Sequence, residues 1–234
     1  MHIISTMNPT RISTIFVLSC ISQTLIGSEH SQPVPIKEQI SPRTLGSAWI
    51  YNSGYWEDDV WYNNGTSLEH VVNEQEFEGV NATQIKLTFE SRTLSMFLAG
   101  LPLEEDSNSY FWEYATPAGS YHYGSEEGTA DERPEKLEDF GLTLPQGKDV
   151  GYTYEDEGDS WEIIESNKDV TVPAGTFTCT VYQSTDTSDP DYIFRSRFFM
   201  AKGTGLIIYE TDVQIDNAWI PESREELVWY NINP

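Results

Sequence analysis

Apolar and polar side chains alternate one by one along most of this chain after residue 46, and that period fixes the class of fold it can adopt. In 83–90, Ile85, Leu87 and Phe89 share a face against Gln84, Lys86 and Thr88. Leu94, Met96 and Leu98 align in 92–98, and Tyr110, Trp112 and Tyr114 in 110–114. In 176–182, Phe177, Cys179 and Val181 stand against Thr176, Thr178 and Thr180. A repeat of two puts successive side chains on opposite faces of a strand. One face packs while the other meets water, which argues for antiparallel pairing and an all-β domain. Further strands are expected at 47–52, 68–73, 120–123, 149–155, 161–165, 168–172, 192–200, 205–212 and 226–232. The best helix signal is Pro134 to Phe140, with Gly141 just past its end, two turns at most.

Two tetrapeptides say where the strands fold back. Thr116-Pro117-Ala118-Gly119 and Val172-Pro173-Ala174-Gly175 each run between strand-like segments. Proline pre-sets φ near about −65° at the second turn position, and glycine at the fourth accepts positive φ. Both are expected to close tight hairpins, with a bulge at the glycine. Gly203-Thr204-Gly205 is a third expected turn.

The chain has 234 residues and a formal net charge of −25, with no Asp or Glu before Glu29. So acidic a surface repels phosphate backbones, which argues against nucleic acid as a partner. Residues 1–11 carry one Arg and no acid, and 12–19 are a short apolar run, the pattern of a signal peptide and too short to span a bilayer. Val17-Leu18-Ser19-Cys20 resembles a bacterial lipobox, in which Cys20 becomes the lipidated first residue. Ordinary cleavage near Gly27 or Ser28 is the alternative. The favoured division is a lipoprotein signal peptide at 1–19, a Ser-, Gln- and Pro-containing tether at 20–44, and one β-rich domain at 45–234. The expected location is the outer membrane or periplasm, or outside the cell if the anchor is lacking. Only the lipid anchor would contact the membrane. Cys179 is the second cysteine and reads as a core thiol, so no structural disulfide is expected.

The stretch Val172-Pro173-Ala174-Gly175-Thr176-Phe177-x-Cys179, followed by Phe198-Phe199-Met200-Ala201-Lys202-Gly203-Thr204-Gly205-Leu206-Ile207, resembles the signature of a group of exported bacterial β-rich proteins, some of them called TapB-like. Where that group usually has Trp-Tyr-Ala-Pro-Gly, this chain has Phe199-Met200-Ala201-Lys202-Gly203. The resemblance implies a curved antiparallel sheet or open barrel. It carries over no catalytic residue.

The search for chemistry gives no enzyme signature. The four histidines, His2, His30, His70 and His122, form no zinc motif, and no metal or cofactor is expected. His122, between Tyr121 and Tyr123, reads as an exposed sheet residue, and Glu113, between Trp112 and Tyr114, as solvent-facing. Tyr110, Trp112, Tyr114, Tyr121 and Tyr123 are candidates to line a ligand cavity, with aromatic packing on paired strands as the competing reading. The favoured function is a non-enzymatic envelope protein that binds an apolar ligand or an envelope partner. The alternatives are a carbohydrate-binding module using Tyr51, Tyr55, Trp56, Trp61 and Tyr62, and a hydrolase using paired carboxylates.

Overall fold

The structure, a computed structural model, describes residues 35–57, 60–90, 107–124, 128–156, 159–187 and 192–233. The leader, Cys20 and the strand expected at 92–98 lie outside the described residues. Among those described, the chain forms twelve strands: β1 (Ala48–Glu57), β2 (Val60–Phe77), β3 (Val80–Glu90), β4 (Ser107–Thr116), β5 (Gly119–Gly124), β6 (Gly141–Pro145), β7 (Thr153–Asp156), β8 (Asp159–Val172), β9 (Gly175–Asp186), β10 (Ile193–Ala201), β11 (Gly205–Ile215) and β12 (Ala218–Asn231). The helix expected at 134–140 shrinks to a single 3-10 turn, Leu137–Asp139.

All twelve strands belong to one antiparallel sheet in the order β6-β5-β4-β3-β2-β1-β12-β11-β10-β9-β8-β7. Each half is a meander, and β12 returns to pair with β1. The sheet curls into a nearly closed barrel. At the seam between β6 and β7, side chains take over from the ladder. The Tyr154 hydroxyl donates to the Thr143 carbonyl at 2.9 Å, and the Tyr182 hydroxyl donates to the Pro145 carbonyl at 2.8 Å.

Both Pro-Ala-Gly bends are present. Thr116 pairs directly with Gly119 and Val172 with Gly175, so each loop has two residues and the expected bulge is absent. The glycines have φ of 155° and 139°. Gly119 is also hemmed in by β6, since a Cβ there would sit 2.2 Å from the Leu144 carbonyl oxygen. Segments 161–165 and 168–172, expected as two strands, are one strand, β8, with register shifts around Glu165. Strand β6 and the first halves of β2 and β12 were not expected.

Register assigns side chains to faces. On β1 the inner face carries Trp49, Tyr51 and Ser53; it continues onto Glu69, Ser67 and Val71 of β2, Ile85 of β3, and Phe111 and Glu113 of β4. The described end of the tether segment crosses this interior. Ile40 is 1% exposed and packs with Leu144, Tyr154, Ile163, Tyr182, Phe198, Met200 and Tyr209. Three residues on, Arg43 reaches the opposite wall. The Ile40 N–H donates to Gln146 Oε1 at 3.1 Å, the Gly203 N–H to the Gln39 carbonyl at 2.8 Å, and the Trp49 indole N–H to the Thr204 carbonyl at 2.7 Å. Residues 35–44, expected as tether, are therefore a strap built into the core. Ile40 and Pro42 supply buried apolar surface that a solvated linker would lack.

The far end of the β8–β9 hairpin closes over the same end of the barrel. The Ala174 N–H donates to the Leu227 carbonyl at 3.3 Å, and Val170, Val172 and Cys179 join one buried cluster with Trp49, Val71, Ile85 and Leu227. Cys179 is buried as expected, and that burial, with Asp169 nearby, pushes its thiol up to about 12. An inert thiol follows.

Candidate functional site

The strap brings one guanidinium to two carboxylates inside the barrel. Arg43 Nη1 donates to Glu69 Oε2 at 2.6 Å and Nε to Glu113 Oε2 at 3.3 Å, all three side chains being nearly buried. The guanidinium also lies over the Trp49 ring, 4.3 Å from its centroid. Ser120 Oγ donates to the other oxygen of Glu113 at 2.5 Å. Burial opposes the Arg43 charge, but Glu69 and Glu113 more than compensate, and its proton is held more tightly than that of a free arginine.

Around this triad lie three further titratable groups. His122 is the register partner of Glu113, its ring edge-on to Phe111 at 4.7 Å. Burial depresses its pKa to about 4, with Glu113 raising and Arg43 lowering it. His122 Nε2 is buried without a hydrogen-bond partner. The Tyr51 hydroxyl is pushed up by burial and by Glu69. Glu225, whose Oε1 accepts from Ser53 Oγ at 2.5 Å, is raised chiefly by burial, against the lowering effect of that hydrogen bond.

Glu113 and His122 were read as facing solvent and correct that reading. Alternation placed them properly opposite the aromatics; the aromatic side is the one outside the barrel. Tyr110, Trp112, Tyr114, Tyr121 and Tyr123 do share that outer face. Trp112 is opposite Tyr123, and Tyr114 is stacked on Tyr121 at 4.8 Å. The chain itself covers part of this group. Phe140 packs on Tyr114 at 4.9 Å and on Tyr123 at 5.9 Å, the Trp112 indole N–H donates to the Glu132 carbonyl at 2.9 Å, and Trp112 is 3% exposed. Together with Phe77 they make a satellite core beneath residues 128–140. Beside it, Gln75, Glu76, Phe77, Glu78, Arg133, Pro134 and Glu135 line an open, mostly polar groove.

The other aromatic stretch divides between faces. Tyr51 is 1% exposed in the core. Tyr55 stacks on Tyr62 at 5.5 Å, and Trp56 tilts against Trp61 at 4.3 Å and 58°. These rings spend faces on one another, unlike the flat side-by-side platform a sugar surface needs. Across the outside of β10, β11 and β12 runs a ladder of ion pairs: Arg195 and Arg197 on Asp212, and Arg197 and Arg224 on Glu210. Among the described residues no group of three or more His, Cys, Asp or Glu could hold a metal ion.

Two carboxylates of the interior, Glu69 and Glu113, are thus tied to a cation of the same chain. That arrangement clamps the strap; it offers no free nucleophile or proton donor at a cleft. Glu113 stood out in the sequence only by its place between Trp112 and Tyr114, and Glu69 not at all among 38 acids, because the partner of both lies in a segment read as linker.

No family model matches the chain, and no curated protein matches it. Two solved structures share its fold. One is a protein from Parabacteroides distasonis provisionally named as a lipoprotein, 12% identical, with a TM-score of 0.54 over 83% of this chain and 99% of that one. The other is a Bacteroides fragilis protein provisionally named as exported and described as having a YmcC-like fold, 15% identical, with a TM-score of 0.54 over 82% of this chain and 98% of that one. At these identities the likeness is one of architecture: the nearly closed antiparallel barrel is a fold that other chains share.

Proposed function

We propose that this chain is an exported, non-enzymatic protein of the bacterial cell envelope, held at the membrane through a lipid on Cys20. The observation that carries the reading is the strap. Residues 35–44 enter the interior of the barrel and are clamped there by Arg43, so in this reading only the short segment after Cys20 separates the lipid from the folded body. The lipobox-like Val17-Leu18-Ser19-Cys20 and the names of the two structural neighbours support the same reading. So does the resemblance of 172–210 to exported TapB-like proteins, since both of its turns close hairpins here.

Between an apolar cargo and an envelope partner, the strap favours the partner. Ile40, Phe198, Met200 and Tyr209 occupy the end of the interior where a hydrocarbon would have to lodge. Mass spectrometry of the mature N-terminus from the membrane fraction tests the anchor. The expected species begins at Cys20 and carries lipid; an unmodified terminus at residue 28 or 29 in the soluble fraction refutes it.

A further inference from the structure

The strap belongs to the core without belonging to the sheet. All twelve strands pair in one continuous order with no contribution from residues 35–44. The strap's first contacts run through its backbone, from the Gly203 N–H to the Gln39 carbonyl and from the Ile40 N–H to Gln146 Oε1. Past Ile40 it is held by side chains: Pro42 is buried, Arg43 lies on Glu69 and Glu113, and the Thr44 hydroxyl donates to the Asn233 carbonyl. Withdrawing the strap therefore leaves every ladder of the barrel in place.

Beside the clamp stands a histidine that the closed strap leaves unsatisfied. His122 Nε2 is buried and has no hydrogen-bond partner in the chain. Across the ladder it faces Glu113, and directly opposed side chains have Cβ atoms about 4.5–5.5 Å apart, within reach of each other. Both Glu113 oxygens are engaged elsewhere, Oε2 by Arg43 and Oε1 by Ser120. The charges that act on His122 are Glu113 of β4, which favours its protonation, and Arg43 of the strap, which opposes it. Glu69 of β2 and Tyr51 of β1 act on Arg43, and Glu225 of β12 acts on Tyr51. On the other side His122 pairs with Gly141 of β6, where a Cβ would lie 3.8 Å from Asp156 Oδ1 of β7.

We propose that the strap is an acid-released latch: a proton taken from solvent by the His122 ring makes it a cation that draws Glu113 away from Arg43, and residues 35–44 leave the interior while the sheet stays folded. Imidazolium and guanidinium compete for one carboxylate and repel each other. With the strap in place His122 binds its proton only near 4, burial being the largest cause. With the strap out, water reaches the ring, Arg43 is gone and Glu113 is free, so the proton binds near the ordinary 6.5 or above. The withdrawn state binds the proton first, so acid favours it by up to about 300-fold as pH falls from 6.5 to 4. At neutral pH the latch stays closed and the interior stays filled. Withdrawal uncovers Leu144, Tyr182, Phe198 and Met200, which pack on Ile40 in the closed state, so their apolar surface becomes available in acid. The latch does not rest on export or lipidation: a lipid-free N-terminus leaves it standing, and a strap that stays in at every pH leaves the anchor reading standing.

Two-dimensional NMR of the purified chain, titrated from about pH 7 to about pH 4, tests it by following the His122 ring together with the amides of Ile40 and Gly203. The expected result is that both amides leave their closed positions with the same midpoint as the ring, between about 4 and 6.5, while the amides of β2 and β3 keep theirs. In His122→Gln, which stays polar but takes up no proton, the midpoint should fall by about one pH unit or more. Arg43→Lys keeps the charge but loses the fork that spans both carboxylates, and should raise the midpoint. Any of four outcomes overturns the proposal. The strap amides hold their closed positions to the end of the titration, or they move at the same pH in the parent and in His122→Gln. Arg43→Lys has a midpoint no higher than the parent's, or strap and sheet signals are lost together, which makes the strap inseparable from the barrel.

Discussion

The two ends of the barrel interior lie on one face of one sheet and obey the same alternation, yet they are built from opposite materials. At the strap end, Trp49, Ile40, Phe198 and Met200 fill the space, and the charges of Arg43, Glu69 and Glu113 are satisfied within the chain. At the hydroxyl end, Ser184, Ser196, Thr211 and Ser223 form a row of short side chains on adjacent strands, with Thr211 and Ser223 hydrogen-bonded to each other at 2.7 Å. The difference teaches that inward-facing position and structural role are separate properties. The strap end is held by buried charge and apolar packing; the other end is tied by hydrogen bonds between short side chains.

Removing the clamp should have the largest effect. Arg43→Ala leaves two carboxylates buried without their cation, a change that costs about 3–5 kcal/mol. Urea denaturation of the variant is expected to show that loss. Adding Glu69→Gln and Glu113→Gln in the same chain should recover part of it, because the stranded charges are then gone. A loss below about 1 kcal/mol would place Arg43 among surface ion pairs and break the contrast.

Acid should distinguish the two ends by sign. His122, beside the clamp, titrates near 4 in the fold against 6.5 when free, because of its burial. The unfolded chain binds the proton first, so this group makes stability rise with pH between about 4 and 6.5, on the order of 3 kcal/mol in all. Asp156, at the tip of the β7–β8 hairpin near the other end, is raised from 3.8 to about 7, by burial first and then by Asp159. Here the folded state holds the proton, so stability falls as pH rises from about 4 through 7. Partial exposure reduces that effect to about 1–2 kcal/mol. His122→Gln should leave a downward slope over this window and Asp156→Asn a steeper upward one, as read by thermal melts at a series of pH values. Identical profiles for the two variants would mean that neither burial is as described.

The smallest effect is expected at the hydroxyl row. Ser184→Ala and Ser196→Ala should each change stability by less than about 1 kcal/mol, since a shared hydroxyl bond contributes about that much net. Losses above about 2 kcal/mol would make the row part of the structural core, and the two ends would no longer differ in kind.

Much of this architecture is legible in the residues, and what is not has a physical reason. Pro-Ala-Gly at 116–119 and 172–175 forces a bend by local sterics alone, so both hairpins could be located. Strand β6 hid behind a helix signal, although Leu142 and Leu144 alternate. The first half of β12 carries Pro221 and several charges, a poor strand in isolation. It is tolerated because Pro221 sits at a register shift against β11. Alternation also says which residues share a face but not which face is inside. That symmetry sent Trp112 and its neighbours to a ligand cavity and Glu113 and His122 to solvent, when the aromatic face is the outer one, beneath 128–140. Arg43 carried no signal at all, since a single arginine among polar and proline residues looks the same in a linker as in a core.

The strap is the element on which the comparison stands, and backbone hydrogen exchange reads it directly. The amides of Ile40, Gly46 and Gly203 donate to Gln146, Val71 and Gln39 respectively. At neutral pH they should be protected from exchange, as the central amides of β1 and β2 are. Fast exchange at Ile40 and Gly203, with β1 and β2 still protected, would show that residues 35–44 lie outside the folded core.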